Sequence, residues 1–69
     1  MNDTVLGNAS KISVTPELDM WRAQVSWGRG VEMFTVSVPC STEDLAQAWV
    51  NTVKWLPKEI AVNQFGLKL

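Results

Sequence analysis

Hydrophobic and polar residues alternate most regularly in two neighbouring segments of this chain, residues 20–27 and 31–38. One parity holds the apolar side chains: Trp21, Ala23, Val25 and Trp27 in the first segment, and Phe34, Val36 and Val38 in the second. The other parity holds Arg22, Gln24, Ser26, Met33, Thr35 and Ser37. Alternation with a period of two is typical of half-buried strands, and Gly28-Arg29-Gly30 between the segments is typical of a turn. The pattern therefore predicts a β-hairpin with one apolar and one polar face.

The length of the hairpin loop decides which residues pair. A two-residue loop made of residues 28 and 29 places Ala23 opposite Phe34. A loop made of residues 29 and 30, or a four-residue loop, places Val25 opposite Phe34 instead. All of these keep both apolar sets on one face, whereas a three-residue loop reverses one strand unless a β-bulge corrects it. Glycine at the first loop position favours a type II′ turn, and therefore the first register.

An amphipathic helix is predicted after the second strand. Ser41 is a suitable N-cap, Asp44 then occupies the N3 position, and acidic residues in the first turn suit the positive end of the helix dipole. At about 100° per residue, one face collects Leu45, Ala46, Trp49, Thr52, Val53 and Leu56. Pro57 ends the helix near Trp55, which gives it a length of about fifteen residues.

The remaining segments complete a single small domain. Residues 11–15 alternate and predict a short edge strand, and residues 16–19 are predicted to be a loop. Residues 59–62 predict a final strand, and the change of phase after it indicates a β-bulge within residues 63–66. We expect the small and polar residues 1–10 to be a disordered tail. The predicted fold is α+β over residues 11–69: a small, mainly antiparallel sheet in the order (β)-β-β-α-β, with one amphipathic helix packed on one sheet face.

The residue types in the chain exclude several kinds of site. The 69 residues include four tryptophans, one cysteine (Cys40) and no histidine. One cysteine cannot form an internal disulfide, and the lack of histidine excludes the usual zinc sites and any catalytic arrangement that needs a histidine base. Glu43 and Asp44 are adjacent and point to different sides of a helix, so they cannot flank a bond as a catalytic pair. We therefore expect a protein that is not an enzyme and that uses no cofactor and no metal.

Charge and hydropathy limit the partners and the location. Six basic residues against seven acidic ones give a net charge of −1, and the basic residues are scattered along the chain. Phosphate-driven binding to nucleic acid is therefore weakly supported. No stretch approaches the roughly 20 apolar residues needed to span a bilayer, and residues 1–10 lack the features of a signal peptide. A single thiol suits a reducing compartment, so we expect a cytoplasmic protein without membrane contact.

The aromatic residues divide into core and surface candidates. Trp21, Trp27 and Phe34 lie on the sheet face that the helix covers, and Trp49 lies at the centre of the helix's apolar arc. We interpret these four as core residues. Trp55 falls about 120° from that centre, so it either folds over the last strand or is exposed to a partner. Trp27, next to the turn, is a second candidate for partner contact.

The polar face of the hairpin is another candidate surface. It is either a solvated sheet face or a flat platform for protein contact, with Arg22 as an anchor and Met33 as an adaptable apolar contact. Arg29 at the tip of the turn is exposed, and it suits an acidic cleft in a partner. The predicted partner-binding residues are Trp55, Arg29, Arg22, Trp27 and Met33.

The order of these features resembles that of a group of small phage proteins. The features are Trp21, Phe34-Thr35-Val36, Thr42-Glu43-Asp44-Leu45, Trp55-Leu56-Pro57 and Ile60-Ala61-Val62. Over about fifty residues, they follow the order found in the podophage inhibitor family of bacterial RNA polymerase, and the architecture is also similar to that of small anti-CRISPR proteins. The arginines on the last strand of the polymerase inhibitors are replaced here by Asn63 and Gln64. The resemblance implies a non-catalytic phage or mobile-element protein that binds and blocks a host protein or ribonucleoprotein complex in the bacterial cytoplasm.

Two other functions remain open from the sequence. A self-associating structural module, such as a homodimer, would pair an edge strand or the C-terminal segment containing Phe65, Leu67 and Leu69 between copies. A weak nucleic-acid-binding protein would use Arg22 and Arg29 together with a tryptophan.

Overall fold

The computed structural model describes residues 5–66, which form a three-stranded sheet and two α-helices. The elements are strands β1 (Lys11–Glu17), β2 (Met20–Trp27) and β3 (Phe34–Cys40), followed by helices α1 (Glu43–Val53) and α2 (Lys58–Phe65). The sheet is antiparallel throughout, with the strand order β1-β2-β3. Helix α1 lies over the sheet, mainly over β2 and β1, and α2 lies near β3. The predicted α+β class with a small antiparallel sheet is confirmed.

The pairing of β2 with β3 differs from both predicted registers. Trp27 lies opposite Phe34, and Val25 lies opposite Val36. The strands are joined by residues 28–33, which include a short 3-10 turn at Gly30–Glu32. Each predicted register assumed a shorter loop and is therefore wrong. The two apolar sets still share one face, because lengthening a loop by an even number of residues reverses neither strand.

Strand β1 is longer than predicted and extends the apolar face of the sheet. Ile12 lies opposite Val25, and Val14 lies two residues further along the same face. Pro16, which the sequence assigns to a loop, is part of the strand, and the connection to β2 contains only residues 18–19. A proline is tolerated here because β1 is an edge strand.

Helix α1 begins one residue later than predicted and is shorter. Thr42 rather than Ser41 is the N-cap, and its hydroxyl oxygen accepts a hydrogen bond from the amide of Leu45 at 3.1 Å. The helix ends at Val53 after 11 residues. Its buried residues are Ala46, Val50 and Val53.

The segment predicted as a final strand is helix α2. Pro57 is its N-cap, a position at which the missing amide hydrogen costs nothing. Ala61 and Phe65 are four residues apart and therefore lie on one side of a helix, so helical spacing, not a β-bulge, explains the change of phase. The ring of Phe65 packs edge-on against Trp49, with centroids 6.1 Å apart. Residues 67–69, which carry the rest of the predicted C-terminal segment, lie outside the described residues.

The core lies between the apolar sheet face and the two helices. Its buried residues are Ala9, Ala23, Val25, Trp27, Val36, Ala46, Val50, Val53 and Ala61. Trp21, Phe34 and Trp49 are partly buried and pack against this cluster. The aromatic residues interpreted as core residues thus lie in or against the core, where they supply most of its large side chains.

Residues 5–10 pack against the domain, whereas the sequence predicts a disordered tail over residues 1–10. Ala9 is a buried core residue. The amide of Ser10 donates to the carbonyl of Ser26 at 2.7 Å, and the amide of Asn8 donates to the carbonyl of Lys54 at 2.8 Å. The packed domain therefore includes residues before position 11. Residues 1–4 lie outside the described part of the chain.

Candidate protein-binding site

Trp27 is fully buried and cannot contact a partner in this structure. Its indole Nε1 donates a hydrogen bond to the carbonyl of Leu56 at 2.8 Å. Its ring is tilted by 32° against Phe34, with centroids 6.0 Å apart. Trp27 is therefore removed from the predicted partner-binding residues, because its indole is covered by Phe34 and by the connection between the helices.

Trp55 lies in the turn between α1 and α2, with 56% of its surface exposed. The side-chain amide of Asn8 donates to its backbone carbonyl at 2.6 Å. A Cβ atom added to Gly7 would come within 3.0 Å of the indole ring, so the backbone of Gly7 packs closely on it. Residues 5–10 thus cover part of the indole, and the remaining surface is accessible to a partner.

Lys54 joins the N-terminal segment to α1. The Lys54 side chain is buried, with only 8% of its surface exposed. Its Nζ donates to the carbonyl of Val5 at 2.7 Å and to Oδ1 of Asn51 at 3.2 Å. The same nitrogen lies 5.7 Å from the centroid of the Trp55 ring. These contacts satisfy the buried ammonium group and fix the position of the indole beside it.

The loop of residues 28–33, called the β2–β3 loop from here on, carries four exposed side chains, those of Arg29, Val31, Glu32 and Met33. Arg29 is exposed, Met33 is 47% exposed, and Val31 is completely exposed. An isolated apolar residue on a surface needs no explanation, but an arginine and two apolar residues together on one loop form a small surface suited to protein contact.

The β2–β3 loop has a defined shape. Gly28 and Gly30 adopt positive φ angles of 79° and 62°, which glycine accepts without strain. The amide of Met33 donates to the carbonyl of Gly30 at 3.1 Å. Nζ of Lys58, at the start of α2, donates to the carbonyl of Glu32 at 2.6 Å. The loop is therefore held both by its own turn and by helix α2.

The polar face of the sheet is open within residues 5–66, because both helices pack on the opposite face. Arg22 makes an ion pair with Glu17, with Nη2 and Oε1 3.2 Å apart, and its Nη1 donates to Oγ of Ser37 at 3.4 Å. A shallow depression of about 150 Å³ at the other end of this face is lined by Lys11, Ile12, Ser13, Gln24, Ser26, Met33 and Thr35. Met33 therefore joins the polar face, as the alternation predicts.

The structure brings together only part of the predicted set. Arg29 and Met33 lie on the same loop, and Met33 borders the polar face. Arg22 lies on that face four residues from Ser26, or about 13 Å along β2, and its guanidinium is already paired with Glu17. Trp55 belongs to the helical side of the molecule and is separated from the polar face by the sheet.

Sequence reasoning missed two residues of this region. Val31 and Met33 have the same parity in the alternating pattern, which places both side chains away from the core. This pattern could have identified Val31 as a surface residue. Lys58 gives no signal in the sequence, because its contact with the carbonyl of Glu32 depends on α2 being a helix.

The described residues also limit other kinds of chemistry. Within residues 5–66, no three His, Cys, Asp or Glu side chains lie close enough to hold a metal ion. No helix in this part of the chain is long and apolar enough to cross a membrane. Comparison of the chain with protein-family models, with curated proteins and with solved structures gives no match.

Proposed function

We propose that this chain is a non-catalytic protein-binding module that contacts its partner through Arg29, Val31 and Met33 of the β2–β3 loop. The observation that carries the proposal is the complete exposure of Val31 on a loop of defined shape. Apolar side chains presented to solvent in a fixed arrangement are typical of protein-interaction surfaces.

The anchoring of the loop favours recognition. The bond from Lys58 to the carbonyl of Glu32 and the turn bond from Met33 to Gly30 hold the backbone before any partner arrives. Binding then costs less conformational entropy than the ordering of a mobile loop would. Methionine adds a flexible apolar contact beside the rigid backbone.

The chemistry of the loop indicates the surface that it fits. Val31 and Met33 require an apolar depression, and the guanidinium of Arg29 requires a carboxylate at its rim. The matching surface on the partner is therefore an apolar pocket with an acidic edge.

The specific form of this proposal is inhibition of a bacterial complex, a CRISPR effector or RNA polymerase, in the cytoplasm of the host. It is supported by the resemblance from Trp21 to the start of α1. The last part of that resemblance, Ile60-Ala61-Val62, lies in α2 and not in a strand, so it no longer contributes.

Two exposed aliphatic residues at opposite ends of β2 allow a matched test. The immobilised wild-type chain should capture one protein from bacterial lysate in a stoichiometric amount. Val31→Ser and Arg29→Ala should each weaken the binding of that protein at least about tenfold. Leu18→Ser replaces an equally exposed aliphatic residue in the β1–β2 turn and should bind like the wild type. Equal losses for Val31→Ser and Leu18→Ser, or full binding by all variants, would refute the loop as the binding surface.

Inhibition is tested separately from binding. Purified chain should reduce transcription by bacterial RNA polymerase, or target cleavage by a CRISPR effector, and Val31→Ser should relieve the effect. Absence of inhibition in both assays, with binding retained, would leave a binding module and refute the inhibitor proposal.

A further inference from the structure

We propose that the outer edge of β1 and the neighbouring side of α1 form a groove that binds an extended peptide segment of a partner protein by strand addition. The proposal concerns the β1 edge of the sheet, and it does not rest on the proposed function.

The backbone of β1 is available for pairing along its outer edge. β1 pairs with β2 on one side, and within residues 5–66 no strand pairs with its other side. The carbonyl of Ser26, opposite Lys11, points towards β1, because it accepts a hydrogen bond from the amide of Ser10. Pairs in an antiparallel ladder alternate between bonded and non-bonded types, so Ile12 and Val14 direct their amide and carbonyl groups outwards.

The position of Pro16 agrees with this alternation. Pro16 shares the parity of Ile12 and Val14, and a proline without an amide hydrogen can occupy an outward-facing position without losing a ladder bond. It also stops strand addition at that end of β1. The available edge therefore runs from Lys11 to Thr15.

Beside this edge, the sheet and α1 enclose a groove of about 270 Å³. Its walls are Ile12, Ser13 and Val14 from β1, and Gln47 and Val50 from α1. Ile12 and Val14 face the core side of the sheet, yet both are only partly buried. Outward-facing backbone groups next to partly exposed apolar side chains, here Ile12 and Val14, are the two elements that strand-adding peptide sites combine.

The extent of the site favours a peptide over a second copy of this chain. Five residues of β1 span about 17 Å, and contact along one strand and one side of a helix buries far less than the roughly 1,000 Å² expected of a stable protein–protein interface. A short extended peptide can fill the same site through backbone bonds and alternate side chains.

The charges at the ends of β1 define the peptide further. Lys11 and Glu17 both lie on the polar face, at opposite ends of the strand. Glu17 lies beyond Pro16 and is already paired with Arg22, so a peptide that runs antiparallel to β1 is matched by an acidic residue at its end, opposite Lys11. Residues opposite Val14 and Ile12 point towards α1 and are apolar.

The test uses the full chain and the synthetic peptide Thr-Val-Thr-Val-Glu, with blocked ends, in amide-resolved NMR. In the free protein, the amides of Ile12 and Val14 should exchange with solvent quickly, while those of Ser13 and Thr15 are protected. The peptide should protect Ile12 and Val14 and bind with a dissociation constant below about 1 mM. The same peptide with N-methyl groups on both valines should bind at least about tenfold more weakly, because its amides can no longer donate.

A pair of protein variants provides the matched control. Ile12→Pro removes one outward amide of β1, and Ser37→Pro removes an outward amide of β3 by the same alternation. Only Ile12→Pro should weaken peptide binding, and the N-methylated peptide decides the question if either variant fails to fold. Three results would overturn the proposal: no difference between the two peptides, protection of Ile12 and Val14 in the free monomer, or concentration-dependent dimerisation through these amides.

Discussion

Trp27 combines complete burial with a hydrogen bond that phenylalanine could not make. Its Nε1 donates to the carbonyl of Leu56, which lies in the connection between α1 and α2. Trp27→Phe leaves that carbonyl without its donor and leaves space in the core. We expect the free energy of unfolding to fall by about 2–3 kcal/mol, as measured by urea denaturation.

Trp55 provides the control for this substitution. Its side chain is mostly exposed and makes no hydrogen bond through its indole nitrogen among residues 5–66. Trp55→Phe should therefore lower the free energy of unfolding by less than about 1 kcal/mol. Equal losses for the two variants would contradict the assignment of Trp27 to the core and of Trp55 to the surface.

At the scale of one element, the start of α1 depends on a single hydroxyl group. The Oγ1 atom of Thr42 accepts the amide of Leu45, whereas Ser41, one residue earlier, lies outside the cap. We expect Thr42→Ala to lower the free energy of unfolding by about 1 kcal/mol and Ser41→Ala to leave it unchanged within about 0.5 kcal/mol. Chemical denaturation of both variants measures the difference, and the reverse order would place the N-cap at Ser41.

The β2–β3 loop allows a second matched comparison. A Cβ atom at Gly28 would lie 2.9 Å from the carbonyl oxygen of Glu32, while one at Gly30 would meet no atom within 4 Å. Both glycines have positive φ angles, so alanine costs about 1 kcal/mol at either position from backbone strain alone. Gly28→Ala should cost at least about 1 kcal/mol more than Gly30→Ala because of the added clash. Similar unfolding midpoints for the two variants would show that Glu32 moves freely.

The sequence predicts the faces of the sheet better than its register. Alternation assigns Trp27 and Phe34 to the same face. Any loop with an even number of residues keeps this assignment, whatever its length. The pairing of Trp27 with Phe34 depends on a 3-10 turn, which no pattern of apolar residues encodes. Arg29 and Met33 could be placed on the surface from sequence, and Trp27 could be placed on the core face, but the pairing of Trp27 with Phe34 could not be foreseen.

The last element shows how one segment can satisfy two patterns. Ile60 and Val62 are β-branched and alternate, which predicts a strand. Ala61 and Phe65 have helical spacing, and Pro57 stands where helices commonly begin. Tertiary packing favours the helix over the strand, because a helix buries Ala61 and brings Phe65 against Trp49. Local propensity alone cannot weigh contacts with distant residues.

At the scale of the whole molecule, the N-terminal segment contributes to a core that is small for an independent domain. Short chains bury a limited fraction of their surface, so each additional packed segment matters to their stability. Ala9 joins the core, and backbone bonds connect Asn8 to Lys54 and Ser10 to Ser26. The segment also supplies the carbonyl of Val5, which accepts a hydrogen bond from the buried ammonium group of Lys54.

This role predicts the effect of shortening the chain. A chain that starts at residue 11 loses these contacts and leaves Lys54 without one of its acceptors, whereas a chain that starts at residue 5 keeps them. We expect the shorter chain to be less stable than the longer one by about 2–4 kcal/mol, with a matching fall in the midpoint of urea denaturation. Equal midpoints would mean that residues 5–10 add nothing to the domain, as a disordered tail would. Lys54→Met keeps the apolar stem of the side chain and removes the ammonium group. If this substitution restores part of the stability that the shorter chain has lost, the unpaired buried charge of Lys54 is the main cause of the loss.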